Sequence, residues 1–154
     1  MELRRAAAAD IPLIHALDRE QSPVFRDAAR YGELLQAGGA LLVLRDGDRL
    51  GGFAAFSQVL DEATLLNLAV APGHRGEGLG RRLLAEGCRV LAKNGVRRVL
   101  LEVRESNTPA RQLYEALAFS LDGRRPNYYP GATGEPREAA IMMSRILEVD
   151  GADS

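Results

Sequence analysis

The stretch Leu65-Leu-Asn-Leu-Ala-Val-Ala-Pro-Gly-His-Arg-Gly-Glu-Gly-Leu-Gly-Arg-Arg-Leu-Leu84 decides how this chain is read. An apolar run stops at Pro72, a glycine-rich turn carrying Arg75 follows, and a helical pattern begins at Leu79. Strand, tight loop and helix in that order suggest a site for a phosphorylated ligand, with a tight βα turn that holds no ligand as the plain reading of the loop taken alone. The first helical N–H groups lack carbonyl partners, and the positive end of the helix dipole adds to them. Gly76, Gly78 and Gly80 let this backbone approach a ligand with no Cβ in the way. Arg75 and Arg81 stand where the dipole opposes positive charge, and a bound anion resolves that conflict. The loop is not a Walker A loop, because Gly80 is followed by Arg81-Arg82 instead of Lys and a hydroxyl residue. Nor is it G-x-G-x-x-G: counted from Gly76 the last position is Arg81, and from Gly78 it is Leu83.

Outward from the loop, both flanks read as mixed α/β. Upstream, 1–7 is a short strand, and Asp10 is the expected N-cap of a helix carrying Ile11, Ile14, Leu17 and Asp18. A second helix is expected over 26–36, closed by Gly38-Gly39. Strands at 41–44 and 50–60 flank a hairpin turn at Asp46-Gly47, and Gly51-Gly52 predicts a bulge or close approach. A turn at Asp61-Glu62 leads into a strand over 63–71. Downstream, Leu79, Leu83, Leu84, Cys88 and Leu91 line one face of a helix that ends at Asn94-Gly95. A strand over 96–103, a helix over 107–117, a strand from Phe119, a loop over 126–136 and a closing strand over 139–146 complete the chain. Two hairpins ahead of the glycine loop make the sheet largely antiparallel.

Composition sets the class. At 154 residues, 46% hydrophobic and 27% charged, one globular domain over 1–148 is expected, with a frayed tail at 149–154. A net charge of −1 gives no general electrostatic reason to bind nucleic acid or a membrane surface. No apolar run approaches a membrane span and no signal peptide is visible, so a cytoplasmic enzyme or binding domain is the expectation. The single cysteine, Cys88, reads as a buried small residue, and no His/Cys/Asp/Glu cluster has metal-ligand spacing, so no metal is expected.

The motif Arg75-x-x-Gly78-x-Gly80 resembles the coenzyme A loop of the GNAT-type N-acetyltransferases. The resemblance extends through Asp61-Glu-Ala-Thr-Leu-Leu-Asn-Leu-Ala-Val-Ala-Pro72, Leu101-Glu-Val-Arg-Glu-Ser-Asn107 and Ala110-Arg-Gln-Leu-Tyr-Glu-Ala-Leu-Ala-Phe119. It resumes at Arg124-Arg-Pro-Asn-Tyr-Tyr-Pro130 and Glu138-Ala-Ala-Ile-Met142, covering most of 51–143. Within the family these segments are most similar to the ribosomal-protein-alanine N-acetyltransferases. The resemblance implies a GNAT-type fold and acetyl-CoA as co-substrate. It places the acetyl-CoA contacts on Leu68, Ala69 and Val70, on Arg75, Gly76, Glu77, Gly78, Leu79, Gly80 and Arg81, and on Asn107. It implies Glu102 as general base and Tyr114 as general acid. The implied acceptor is the N-terminal alanine of a ribosomal protein, acetylated by direct transfer in a ternary complex. Two alternatives stand beside it: a small-molecule amine or another protein N-terminus as acceptor, and a non-catalytic acyl-CoA-binding regulator.

The residue types suit that chemistry and also allow plainer roles. Glu102 lies in an apolar strand, where partial burial would raise its carboxyl toward a useful base; a salt bridge to Arg104 is the plain reading. Tyr114 can protonate a thiolate or be an ordinary half-buried tyrosine. Asn107 can cap its helix and touch the ligand as well. Departures from the family pattern fall on the acceptor side: no Trp near 21–27, an inserted Pro126 beside Tyr128 and Tyr129, and Ala139 after Glu138.

Overall fold

The computed structural model describes residues 1–21, 28–37 and 39–148. The elements in chain order are β1 (Glu2–Arg5), α1 (Ile11–Gln21), α2 (Ala28–Gln36), β2 (Ala40–Asp46), β3 (Arg49–Val59), β4 (Glu62–Val70), α3 (Leu79–Lys93), β5 (Arg98–Arg104), α4 (Thr108–Ala116), β6 (Ser120–Tyr129) and β7 (Glu138–Ile146). Short 3-10 turns precede α1 (Ala8–Asp10) and α3 (Pro72–His74). The strands form one seven-stranded sheet in the order β1-β2-β3-β4-β5-β7-β6. Only β4 and β5 run parallel, because α3 crosses over between them; every other neighbour is antiparallel. This is the mixed, largely antiparallel α/β sheet that the two early hairpins predict.

Strand alternation supplies a core on each face. Leu42, Leu44, Ala54, Phe56, Val99, Leu101, Ile141 and Met143 pack with Leu83, Leu84, Cys88 and Leu91 of α3 and with Tyr114 of α4. On the opposite face Leu41, Val43, Phe53, Ala55 and Ala69 meet Ile14 and Leu17 of α1 and Tyr31 and Leu34 of α2. At Gly87 the helix α3 lies directly against Phe56, and a Cβ there would fall on the ring carbons.

Two bulges shape the central strands. Leu44 pairs with Gly52 and Arg45 with Leu50, so Gly51 is the extra residue at the first. Ala55 pairs with Asn67 and Phe56 with Leu65, so Leu66 is the extra residue at the second. Buried faces change parity across Leu66: Ala63 and Leu65 before it, and Leu68 and Val70 after it, all join the α3 side.

Several expectations need correction. Asp10 is not a cap for α1; it ends the 3-10 turn and reaches back to the Ala7 N–H at 2.7 Å. Its other contacts are Arg4 Nη1 at 2.7 Å and Arg45 Nη1 at 2.6 Å, an ion cluster joining β1 to β2. The hairpin turns sit one residue off: Gly47-Asp48 links β2 to β3, and Leu60-Asp61, with Leu60 at φ 57°, links β3 to β4. Strand β6 runs on to Tyr129 where a loop from Pro126 is expected. It is an edge strand, which tolerates the missing N–H of Pro126, and its register slips between Arg125 and Tyr129. The expected helix start at 26–27, Gly38 and the tail at 149–154 lie outside the described residues.

Asp10 carries the first prediction. The Arg4 guanidinium holds its carboxyl down at about 2, from an ordinary 3.8, although the residue is 1% exposed. A lowered carboxyl stabilises the fold above its ordinary value, and that contribution is lost as pH falls through about 2. Asp10→Asn therefore costs about 2 kcal/mol at neutral pH. Its Tm deficit against the native chain shrinks below pH 4, as a melting series in acid will show.

Candidate active site

Strands β4 and β5 pair only at Glu62–Arg98, Ala63–Val99 and Thr64–Leu100. Beyond Thr64 they part, and the Leu66 bulge turns β4 away just where the pairing stops. The β4 edge from Leu65 to Val70 thus has no β5 partner, and its outward N–H and C=O groups face the gap. A cavity of about 240 Å³ fills this opening. Leu66, Asn67 and Leu68 line one side, and Glu102, Asn107, Tyr114 and Tyr129 line the other. A neighbouring space of about 380 Å³ shares Leu65, Leu66, Glu102 and Tyr129 and adds Thr64 and Tyr128. Glu102 therefore borders both.

Strand parity explains which side each group serves. Leu101 and Val103 are buried toward α3 and α4, so Glu102 between them points to the opposite face. It is exposed, which corrects the expected partial burial: the opening of the sheet removes the neighbour that would have covered it. Nor does it pair with Arg104, whose guanidinium instead donates to Glu138 Oε1 at 3.2 Å and to the Pro130 carbonyl at 3.3 Å. The same guanidinium lies 4.6 Å from the centre of the Tyr129 ring, and Tyr129 packs edge-on against Tyr128 at 5.1 Å. Hydrogen bonding to the Glu102 carboxylate, with its charge, pushes the Tyr128 phenol up. Burial, then the charge of Glu102, raises Tyr129.

Tyr114 comes from the other layer. It is 8% exposed, packs against Phe119 with ring centres 6.0 Å apart, and is pushed up to about 12 by burial and then by Tyr129. Among the described residues no hydrogen-bond partner meets its hydroxyl, which leaves that group to the cavity. Asn107 caps α4 by accepting from the Ala110 N–H at 3.3 Å and also lines the cavity.

The glycine loop lies at the far end of β4. Gly76 and Gly78 have φ of 82° and 76°, and a Cβ on either would meet nothing within 4 Å, so they serve backbone shape and open space. Leu79 is buried in the core while Arg75, Glu77 and Arg81 are exposed. The first α3 N–H to reach a carbonyl by way of the cap is Arg82 to Gly78 at 3.1 Å, leaving the amides before it outward. Among the described residues neither Arg75 nor Arg81 enters a salt bridge. The Glu77 side chain instead stands 3.5 Å from His74. Gly80 abuts Leu113 and Val70, which connect the loop to the cavity along β4. Ala69 is buried toward α1, and the Val70 carbonyl accepts from Gln21 Nε2 at 2.7 Å. Leu68, Glu102, Asn107 and Tyr114 thus share one cavity, whereas 75–81 form a separate shelf. Cys88 lies in neither; it borders a cavity of about 430 Å³ with Arg145, and burial pushes its thiol up.

Missed from the sequence is the polar group opposite Glu102. Asp18 of α1, 1% exposed, accepts from Tyr31 Oη at 2.5 Å and from Asn67 Nδ2 at 2.9 Å. The signal was present: an asparagine inside the apolar run Leu65-Leu-Asn-Leu68, and an Asp on the apolar stripe of a helix.

The sheet opens between parallel neighbours with a glycine-rich helix start at its end, and sequence comparison gives this scaffold its class. The Acetyltransferase (GNAT) family profile matches residues 7–119, and the chain belongs to that family. It is 46% identical to the [ribosomal protein bS18]-alanine N-acetyltransferase of Escherichia coli (strain K12) over 101 residues, 66% of this chain and 67% of that one. The crystal structure of the ribosomal-protein-S18-alanine N-acetyltransferase from Escherichia coli superposes with a TM-score of 0.87 at 32% identity, covering 99% and 97% of the two chains. A phosphinothricin acetyltransferase from Sinorhizobium meliloti, in complex with AcCoA, shares the fold alone at 22% identity, with a TM-score of 0.83 over 98% and 90%. The protein is an acetyltransferase. No helix among the described residues is long and apolar enough to cross a membrane.

Proposed function

We propose that this enzyme transfers an acetyl group from acetyl-CoA to the N-terminal α-amine of a protein, and that the acceptor is the N-terminal alanine of a ribosomal protein. The observation that carries the reading is the single cavity in which Glu102 from one face of the sheet meets Tyr114 from the other. Similarity to enzymes named for ribosomal protein bS18 supports the acceptor, and the complex of the Sinorhizobium neighbour supports the donor.

In this reading the outward amides at 76–81, with Arg75 and Arg81, hold the pyrophosphate, and the free edge of Leu68, Ala69 and Val70 takes the pantetheine arm as an added strand. Asn107 contacts the arm near the thioester. A backbone N–H on that edge polarises the thioester carbonyl. The amine nitrogen forms the new C–N bond while Glu102 takes its proton. The C–S bond then breaks, the sulfur leaves with the electron pair, and Tyr114 Oη supplies its proton. Burial keeps Tyr114 protonated, and the same dry surroundings raise the departing thiolate, which keeps donor and acceptor matched. Cys88, outside the cavity, offers no acyl relay, which supports direct transfer in a ternary complex.

The exposure of Glu102 favours an α-amine. An α-ammonium titrates near 7.7–8.0, so freeing it at neutral pH costs roughly 1 kcal/mol, against roughly 4–5 for a lysine near 10.4. Release of CoA with peptides starting in Ala, with lysine peptides and with small amines tests the reading. Turnover is expected for the Ala-starting peptides, and preference for any other class would overturn the acceptor. In the loop, Gly78→Ala raises the acetyl-CoA Kd about tenfold, because its Cβ enters the space assigned to phosphate. Tm falls by no more than the roughly 1–2 kcal/mol cost of a left-handed alanine implies. Equal loss of folding and binding would make Gly78 purely structural.

A further inference from the structure

We infer that Asn67 is the residue that orients the acceptor amine, presenting its side-chain carbonyl Oδ1 to an amine N–H, and that Asp18 and Tyr31 are the positioning residues that lock it in that orientation. The inference rests on the α-amine reading of the site. Asn67 is half-buried, lies directly after the Leu66 bulge, and lines the cavity across from Glu102. Its amide orientation follows from its partners. Its NH₂ group donates to Asp18 Oδ1 at 2.9 Å, on the side turned toward α1. The one Tyr31 hydroxyl hydrogen goes to Asp18 Oδ2 at 2.5 Å, so the Tyr31 oxygen receives the second Asn67 hydrogen, at 3.4 Å. Both Asn67 donors are thereby spent inside the protein.

What remains of the amide is an acceptor. Among the described residues no donor meets Asn67 Oδ1. Opposite it stands the Glu102 carboxylate, a second acceptor in the same cavity. Two acceptors across a small opening match a group with at least two N–H bonds, the primary amine that is to be acylated. The lock is firm because it is buried: Tyr31 is 0% exposed and Asp18 1%, where hydrogen-bonded polar groups lose much by rearranging. It also ties α1, α2 and β4 together at the point where the sheet opens.

The test uses the full chain, an Ala-starting peptide and acetyl-CoA. For Asn67→Ala and Asp18→Asn, acceptor KM, kcat and the acetyl-CoA Kd are measured together with Tm. Asn67→Ala removes the acceptor; Asp18→Asn keeps the packing but lets the Asn67 amide turn over. The expected result in both is an acceptor KM raised about tenfold or more with acetyl-CoA Kd within about twofold of native. An unchanged acceptor KM in a folded variant, or a parallel loss of acetyl-CoA binding, overturns the inference while leaving the proposed function in place. Should Asn67→Ala not fold, the isosteric Asp18→Asn decides on the same criteria. Native chain that turns over no amine at all overturns both readings together.

Discussion

Replacing Glu102 by Gln lowers kcat about a hundredfold near neutral pH, and the deficit shrinks as pH rises. The shrinkage is the informative part. Above about pH 8 an α-amine loses its own proton to bulk solvent, so a base in the site is needed less. The substitution keeps the length of the side chain and its hydrogen bonding, and Glu102 is exposed, so Tm should stay near native. Initial rates from pH 6.5 to 9 with saturating acetyl-CoA check this. A deficit constant with pH would assign Glu102 to binding, and an undiminished rate would remove it from the reaction.

Tyr114→Phe is the second large effect. The change deletes one oxygen and keeps the ring against Phe119, so the fold is retained and kcat carries the loss, again by about a hundredfold. Because burial holds the phenol up to about 12, the native rate shows no falling limb from Tyr114 across the assay range. Acetyl-CoA affinity stays within about twofold of native, since the hydroxyl acts chiefly as the sulfur departs. A variant that lost affinity with kcat intact would make Tyr114 a binding group. The two substitutions also separate the proton's source from its destination: only the Glu102 variant recovers at high pH.

Much of this was legible before any coordinates. The apolar stripe Leu79, Leu83, Leu84, Cys88 and Leu91 defines α3, and all five are buried. Asn94-Gly95 ends it, with Gly95 at φ 87°. The two hairpins and the glycine loop give the sheet its largely antiparallel character, and the resemblance to the GNAT enzymes holds. What periodicity does not carry is tertiary in origin. Pro126 reads locally as a breaker, yet an edge strand accommodates it. Glu102 looks partly covered within Leu100-Leu-Glu-Val103, but β5 has lost a neighbour at that height. Asp10 has the sequence position of a cap, and two arginines from β1 and β2 recruit it instead. The Asp18–Tyr31–Asn67 group joins residues 49 positions apart, beyond the reach of local patterns.

The extra residue at Leu66 has an arithmetic consequence. With every residue kept and the bulge smoothed into regular alternation, Leu68 and Val70 would fall on the α1 face and Asn67 would turn toward α3. One residue of phase therefore sets the face of every side chain after it: shedding Leu66 alone would keep Asn67 toward α1 and Leu68 toward α3, but would take away the bulge beside the point where β4 and β5 part.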